Sequence, residues 1–503
     1  MSRTKRSAAN FISQTILSKV TMLVGFVATP LLLQWMGSEK FGVYKILLQW
    51  FSYLAIFELI LNASTLGCIT QPLGRGETDQ VKGLMMASLR LGYRWLPVLF
   101  AVGGFWVYFL PELIKTESIS HSELRWAGAG CLAMLFFSPF TCLRALTDAS
   151  QKSYFISLTN TLRGLFVTLG TLPLAFWGVH LSFFVMMEFA AQALVTIAFV
   201  IFALRILPGL FRHRPRADEG SKIKKLSGPV LISAVSDQIG LVGDNLIVAW
   251  MMGANVVTPF FLTQRLGQLA YAQLLSIGNS TWAGLIELRT QGNQARFEER
   301  TYEITKLIGA MWVVIVVPLA IGNKYFMALW VGAAQYSGDL PNYIFFLNIC
   351  LGSVLSFWGW LIGGVGLQRE WVPFAIAGNI LNIGLSIVGC YYYGYIGPLI
   401  GTLTEFLVIR SGGLLLVLKR HYQLRRRRMI VAVAQPLALS ALYGFTLQKI
   451  TASEIFAIDS WFKLALFLVC CGSIGLGLSW TLLLNKEDQL NWLTRLKRII
   501  KQD

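Results

Sequence analysis

Charge is what this sequence has least of. Asp, Glu, Lys and Arg make up 14% of its 503 residues, where an ordinary soluble domain carries about 25%. Histidine is scarce: His121, His180, His213 and His421 lie far apart in predicted loops. The seven cysteines, at 68, 131, 142, 350, 390, 470 and 471, fall in or beside apolar runs without metal-ligand spacing. Neither a metal site nor a disulfide framework is expected. A Gly-rich loop ending in Lys-Ser or Lys-Thr is missing too, which argues against nucleotide-driven work. No cofactor and no catalytic residue is expected. The basic start, "MSRTKRSAANFISQTILSK", runs into apolar sequence with no small-residue cleavage site. It reads as a retained first span, not a signal peptide.

What the chain does have is apolar length. Hydrophobic residues make up 55%, and the mean hydropathy is +0.60. Runs near 20 residues recur, each able to cross a hydrocarbon core of about 30 Å. About 14 spans are predicted, at 10–34, 41–66, 86–110, 124–145, 155–177, 181–204, 228–251, 258–286, 305–322, 341–364, 372–391, 396–418, 429–448 and 460–484. The fold class is therefore all-α, a polytopic membrane protein.

A net charge of +18 would suggest nucleic acid for a soluble protein. Here the cations cluster in alternate loops, such as "SRTKR", "RILPGLFRHRPRADEGSKIKK" and "KRHYQLRRRR". That is the positive-inside pattern of cytoplasmic loops, so nucleic acid is not an expected partner. An even span count with this asymmetry puts both termini in the cytoplasm. The predicted outer loops are short. After the last span, "NWLTRLKRIIKQD" carries Trp492, Leu493, Leu496, Ile499 and Ile500 on one helical face; it is expected to lie along the inner membrane surface.

Two stretches match at an offset of 216 residues: Met36-Gly37 with Met252-Gly253, Ser64-Thr65 with Ser280-Thr281, and Gly76 with Gly292. Each brackets a short outer turn, a long span and a charged inner loop. Six spans separate equivalent points, so two copies enter the membrane in the same direction. A parallel duplication predicts two lobes about an axis along the membrane normal, with a substrate path between them. The expected division is an N-terminal lobe at 1–204, a basic linker at 205–227 and a C-terminal lobe at 228–418. Two further helices at 419–484 and an amphipathic tail at 485–503 complete it.

Polar residues recur inside these spans. Asn10, Gln14, Ser18, Thr21, Gly25 and Thr29 share one helical face, with Lys19 on its shoulder. Ser233, Asp237, Gly240 and Asp244 form a similar stripe, and Gln264, Gln268 and Tyr271 align with Arg265 beside them. Glu58–Asn62 and Glu188–Gln192 stand one turn apart; Asn379, Asn382, Ser386 and Glu405 follow. The neutral groups are as well explained by helix–helix hydrogen bonds at about 0.6 kcal/mol each. The charges are not. Lys19, Asp237, Asp244, Glu188, Arg265 and Glu405 facing lipid would cost on the order of 15–20 kcal/mol, more than the stability of a domain. They are expected to face each other or water.

Arg90 and Arg94 stand one turn apart at the doorway of an apolar run. Two readings fit. Long cationic side chains near a helix end snorkel to the interface. Equally, two guanidiniums on one face suit a pyrophosphate, which Arg grips bidentately.

At "GDNLIVAWMMGANVVTPFFLTQRLGQLAYA", "KYFMALWVGAAQYS", "YIGPLIGTLTEFLV" and "VATPLLLQWMGSEKFGVYK", the chain resembles the polysaccharide-biosynthesis flippases. These are the Wzx-type, O-antigen members of the multidrug/oligosaccharidyl-lipid/polysaccharide (MOP) exporter superfamily. The likeness spans nearly the whole chain, although Tyr44 of the first copy is replaced by Phe260 in the second. The resemblance implies alternating access driven by an ion gradient in a bacterial cytoplasmic membrane. The cargo would be a polyprenyl-pyrophosphate-linked oligosaccharide; membrane lipids and polysaccharide polymerase or assembly proteins would be the partners. Arg90, Arg94, Lys19, Arg265 and Gln268 are then the candidates for cargo binding, and Asp237, Asp244, Glu58 and Glu405 for the coupling ion. Two rivals remain: a cation-coupled drug or metabolite antiporter of the same superfamily, and a membrane glycan polymerase or ligase.

Overall fold

Eighteen α-helices carry the chain in the computed structural model, which describes residues 3–364, 367–452, 458–483 and 489. The side chains of 3–16, 18, 217, 226, 228–243, 364, 368 and 369 fall outside the description. The first nine helices are α1 (Arg3–Met36), α2 (Ser38–Leu54), α3 (Ile56–Gly74), α4 (Thr78–Leu113), α5 (His121–Ala133), α6 (Cys142–Ala149), α7 (Ser153–Phe176), α8 (Leu181–Ile206) and α9 (Ala217–Met252). They continue with α10 (Ala254–Thr290), α11 (Gln294–Met311), α12 (Val317–Trp330), α13 (Asp339–Gly364), α14 (Gln368–Tyr393) and α15 (Ile396–Glu405), and end with α16 (Ser411–Tyr422), α17 (Arg426–Ala452) and α18 (Trp461–Leu482). A 3₁₀ segment, 134–141, bridges α5 to α6, and π-turns at 312–316 and 406–410 join α11 to α12 and α15 to α16.

The protein is all-helical among its described residues, and multi-pass. Ten described helical segments are long and apolar enough to cross a membrane. The pair α2–α3, bent by 41°, makes an eleventh when read as one span. The other three expected spans coincide with α7, α9 and α10. These long helices carry more polar residues, which lowers their apolarity without shortening them. Helices overrun the expected spans at their charged ends: α4 starts at Thr78, α9 at Ala217, and α10 runs on to Thr290. The tail beyond 489, including Trp492 and Ile500, lies outside the described residues.

The duplication proves far more extensive than three short matches. The start of α2 and the end of α3, shifted by 216, fall on the two ends of α10, Ala254 and Thr290. The start of α4 falls on Gln294, the first residue of α11. The turns repeat as well. Glu77 N–H donates to Pro72 O and Asn293 N–H to Leu288 O, at 3.0 and 3.1 Å. The glycines inside these turns, Gly76 and Gly292, both have φ +76°. Gly178 and Gly394 match at +63° and +62°. A positive φ excludes most side chains, so shared glycines at shared angles mark equivalent backbone.

Two compact units emerge from the packing, Met1–Thr258 and Pro259–Asp503. In the first, α1 lies along α7, α5 along α8, and α3 packs against α4, α6 and α9. Its core gathers Ile69, Leu84, Met85, Leu143 and Leu146. One end is tied by polar contacts. The Glu39 carboxylate accepts from the Glu117 and Ser118 amides and the Ser118 hydroxyl, and Lys40 Nζ donates to Val179 O at 2.6 Å. In the second unit, α14 packs along α15, α17 on α11, and α18 on α12 and the 312–316 turn. Trp312, Phe297, Phe357 and Tyr422 form its core. Their polar edges are bonded: Trp312 Nε1 donates to Ser353 Oγ at 3.1 Å and Tyr422 OH to Leu361 O at 2.6 Å.

Candidate functional site

Arg90 and Arg94 lie on the exposed side of α4 and line one cavity of about 330 Å³. Two more cations complete it, Arg216 and Lys224, beside Gly220 and Ser221 of the first turns of α9. No acid is among its described lining residues. None of Arg90, Arg94 and Lys224 pairs with an acid among the described residues. Arg216 differs, since it also faces a neighbouring cavity of about 480 Å³ lined by Glu77, Asp79, Asp218 and Glu219. Three cations without an acidic partner among the described residues focus an attraction for anions into one small space.

Arg94 and Lys224 also border a second, larger cavity of about 680 Å³ in the same unit. Its other described lining residues are mostly apolar: Leu54, Ile56, Phe57 and Ile60 from α2 and α3, and Trp95, Val98 and Leu99 from α4. Trp95 and Val98 are 44% and 48% exposed there. The two cavities thus adjoin across Arg94 and Lys224, one basic and one greasy.

The duplication carries this site over only in part: the counterpart of Arg90 is Lys306, while those of Arg216 and Lys224 are Ala432 and Ser440. The counterpart of Arg94 is Ala310, which is buried and accepts a hydrogen bond from Ser479 of α18 at 3.3 Å. The full set of four cations belongs to the first copy alone.

The other candidates scatter. Lys19, exposed on α1, does not line either cavity. Arg265 is exposed and Gln268 half-buried on one face of α10, in the second unit. The side chain of Asp237 lies outside the described residues; Asp244, half-buried, interacts electrostatically with Tyr53. Glu58 Oε1 and Asn62 Oδ1, one turn apart on α3, are buried with no hydrogen-bond donor among the described residues. Glu405 is 2% exposed and accepts from Arg410 Nε at 3.0 Å. Glu188 is held between Arg163 Nη2 at 3.1 Å and Tyr44 OH at 3.2 Å.

Several neutral polar residues join helices. Asn382 Nδ2 donates to Thr402 Oγ1 at 2.9 Å, binding α14 to α15. Thr29 Oγ1 instead bonds within its own helix, to Gly25 O at 2.7 Å. The side chains of Asn10, Gln14 and Ser18 lie outside the described residues.

Sequence reading missed Lys224 and Arg216, which it placed in a linker. The signal was present in "RADEGSKIKK": Asp218 and Glu219 are acids suited to a helix's first turn. A start at Ala217 carries Lys224 onto a helical face beside α4.

No protein-family model matches the chain, and no curated protein matches it by sequence. Solved structures do. Lipid II flippase MurJ, in an inward closed conformation, is similar with a TM-score of 0.71 at 14% identity, covering 93% of this chain and 99% of that one. An inward-facing MATE multidrug resistance transporter of the MOP superfamily reaches 0.56 at 13% identity, over 83% of this chain and 98% of that one. A MOP superfamily transporter from Pyrococcus furiosus, described for the reverse polarity of its binding pocket, reaches 0.57 at 13% identity, over 85% and 95%. The chain has the fold of these transporters. At such identities the likeness is one of fold alone.

Proposed function

We propose that this protein is a flippase that moves a polyprenyl-pyrophosphate-linked oligosaccharide from the inner to the outer leaflet of a bacterial cytoplasmic membrane. The observation that carries the proposal is the cavity where Arg90, Arg94, Arg216 and Lys224 converge without an acid among its described lining residues. A pyrophosphate needs several donors on one side, and two guanidiniums one turn apart supply them in bidentate form. MurJ, whose name gives it a lipid-linked cargo, has the same fold.

The remaining parts of the proposal follow the resemblance. Lys19, Arg265 and Gln268 would meet the cargo at other stages of an alternating-access cycle between the duplicated lobes, with both termini cytoplasmic. Polymerase or assembly proteins would take up the product. Among the acids proposed for ion coupling, Glu58 has the best support, because its buried Oε1 and that of Asn62, Oδ1, lack donors among the described residues. Asp237 and Asp244 stay as secondary candidates.

The test is translocation of a fluorescent polyprenyl-pyrophosphate oligosaccharide in proteoliposomes. Arg90→Gln with Arg94→Gln should abolish it while membrane insertion and folding persist. Wild-type rates in that variant would end the proposal. The Glu58–Asn62 pair favours a second reading, a cation-coupled antiporter for organic cations. Saturable binding of an organic cation, with none of polyprenyl pyrophosphate, would decide for it. A change in glycan chain length during the assay would instead point to an enzyme.

A further inference from the structure

The greasy cavity adjoining the basic one offers few polar groups among its described lining residues. Its described walls come from α2, α3, α4 and α9, all within the first unit, and the polar contributors among the described residues are Ser227 and Tyr53 besides the two cations. Large apolar side chains stay uncovered in it, and Phe57 and Trp95 stand with ring centroids 5.9 Å apart. Exposed apolar side chains alone are ordinary on a membrane-spanning helix, but a concavity of this size with mostly apolar described walls has the character of a ligand site. The charge at its mouth says which ligand. Arg94 and Lys224 are shared with the cavity that holds Arg90 and Arg216.

We propose that this groove seats the phosphate-proximal stretch of the cargo's isoprenoid chain, while Arg94 and Lys224 hold the phosphate to which that chain is bonded. The inference rests on the flippase reading and adds a place for the lipid. One molecule then spans both cavities: hydrocarbon in the first, the first phosphate at the shared cations, the second phosphate on Arg90 and Arg216. A phospholipid fits less well. It brings two chains to a groove and one phosphate to a cluster of four cations. The volume of about 680 Å³ encloses part of a polyprenyl chain, so the rest extends into the bilayer. The first unit thereby selects the lipid by its branched single chain and its paired phosphates, independently of the sugars.

The experiment is photo-crosslinking of the full chain in phosphatidylcholine nanodiscs with a diazirine-bearing farnesyl pyrophosphate. Adducts are mapped by peptide mass spectrometry. Adducts on Phe57, Trp95 or Val98, displaced by unlabelled farnesyl pyrophosphate and not by phosphatidylglycerol, are expected. Val98→Trp, which fills the groove from a half-exposed position, should lower the yield about tenfold. Adducts confined to other helices, or displacement by phosphatidylglycerol as well, would overturn the groove assignment. If translocation still depended on Arg90 and Arg94 in that case, the flippase reading would stand without it. Absence of any saturable labelling, together with translocation indifferent to those arginines, would overturn both.

Discussion

Gly37 and Gly253, 216 positions apart, adopt nearly one backbone conformation: φ 79°, ψ 161° and φ 91°, ψ 166°. Each is the single residue between two long helices, and each donates its N–H to the carbonyl four residues back, Leu33 and Ala249. The chain passes from one helix to the next here without a loop. Only glycine occupies this region of backbone space freely. The equivalence ties the duplicated halves together at a point that no hydropathy plot resolves.

Replacing either residue with Ala should therefore destabilise the protein by about 1–3 kcal/mol. At Gly37 an added methyl would meet open space, so the penalty there is conformational and not steric. Gly104 supplies the control: it is helical, also in open space, and free of a positive φ. Gly104→Ala should leave stability unchanged or raise it by about 1 kcal/mol. Thermal unfolding midpoints in detergent compare the three. Equal effects at Gly37 and Gly104 would refute the conformational account.

The basic cavity predicts graded losses. A charge-assisted hydrogen bond contributes about 1.5–3 kcal/mol, so Lys224→Gln should weaken polyprenyl pyrophosphate binding about tenfold or more. Arg90→Gln should do the same. Because Arg90, Arg94 and Lys224 would hold the phosphates by charge and are exposed, raising the salt concentration should weaken wild-type binding further and affect the variants less. Titration by calorimetry at two ionic strengths measures both effects. A salt-independent affinity would show that the phosphates bind elsewhere.

How much of this was legible in the sequence depends on the length scale. Each predicted span sits on a helical segment, because apolar runs of about 20 residues have few alternatives to a helix in lipid. Arg90 and Arg94 were legible as a pair, since i, i+4 spacing puts them on one face. Lys224 was not: its neighbourhood is polar, and only the packing of α9 against α4 brings it to Arg94. Nor was the greasy groove, whose walls come from residues as far apart as Tyr53 and Ser227. That Glu188 and Glu405 turn away from lipid follows from their charge, but periodicity cannot choose between water and Arg163 or Arg410.

Glu188 shows what a partly buried pair predicts. Arg163 and Tyr44 both donate to its carboxylate. Removing the carboxylate leaves a half-exposed Arg163 without its partner, so Glu188→Ala should cost about 1–3 kcal/mol. Tyr44→Phe loses one hydrogen bond of about 1 kcal/mol. The position equivalent to Tyr44 is Phe260, which is buried without a hydroxyl, so the ring itself suits this place in the fold. Arg163→Met combined with Glu188→Leu should recover most of the loss. Unfolding midpoints of the two single variants and the double variant settle it, and a double variant no better than Glu188→Ala would mean the two residues act independently.

Glu405 and Arg410 are five residues apart, which on an α-helix of about 100° per residue would aim them some 140° away from each other. The π-turn at 406–410 closes that gap, and the salt bridge forms at 3.0 Å. Gly378 of α14 leaves room for it: a Cβ there would lie 2.6 Å from the Glu405 carboxylate oxygen. The carboxylate is thus covered by one helix and neutralised from its own. If the pair is structural, Glu405→Gln and Arg410→Gln each destabilise, and the double variant shows a coupling energy of about 0.5–3 kcal/mol. Gly378→Ala should destabilise by about 1–3 kcal/mol through overpacking against Glu405. A carboxylate that instead served the coupling ion would give a different result. Glu405→Gln would then abolish the ion dependence of transport while the unfolding midpoint and the Arg410→Gln phenotype stayed at wild-type values.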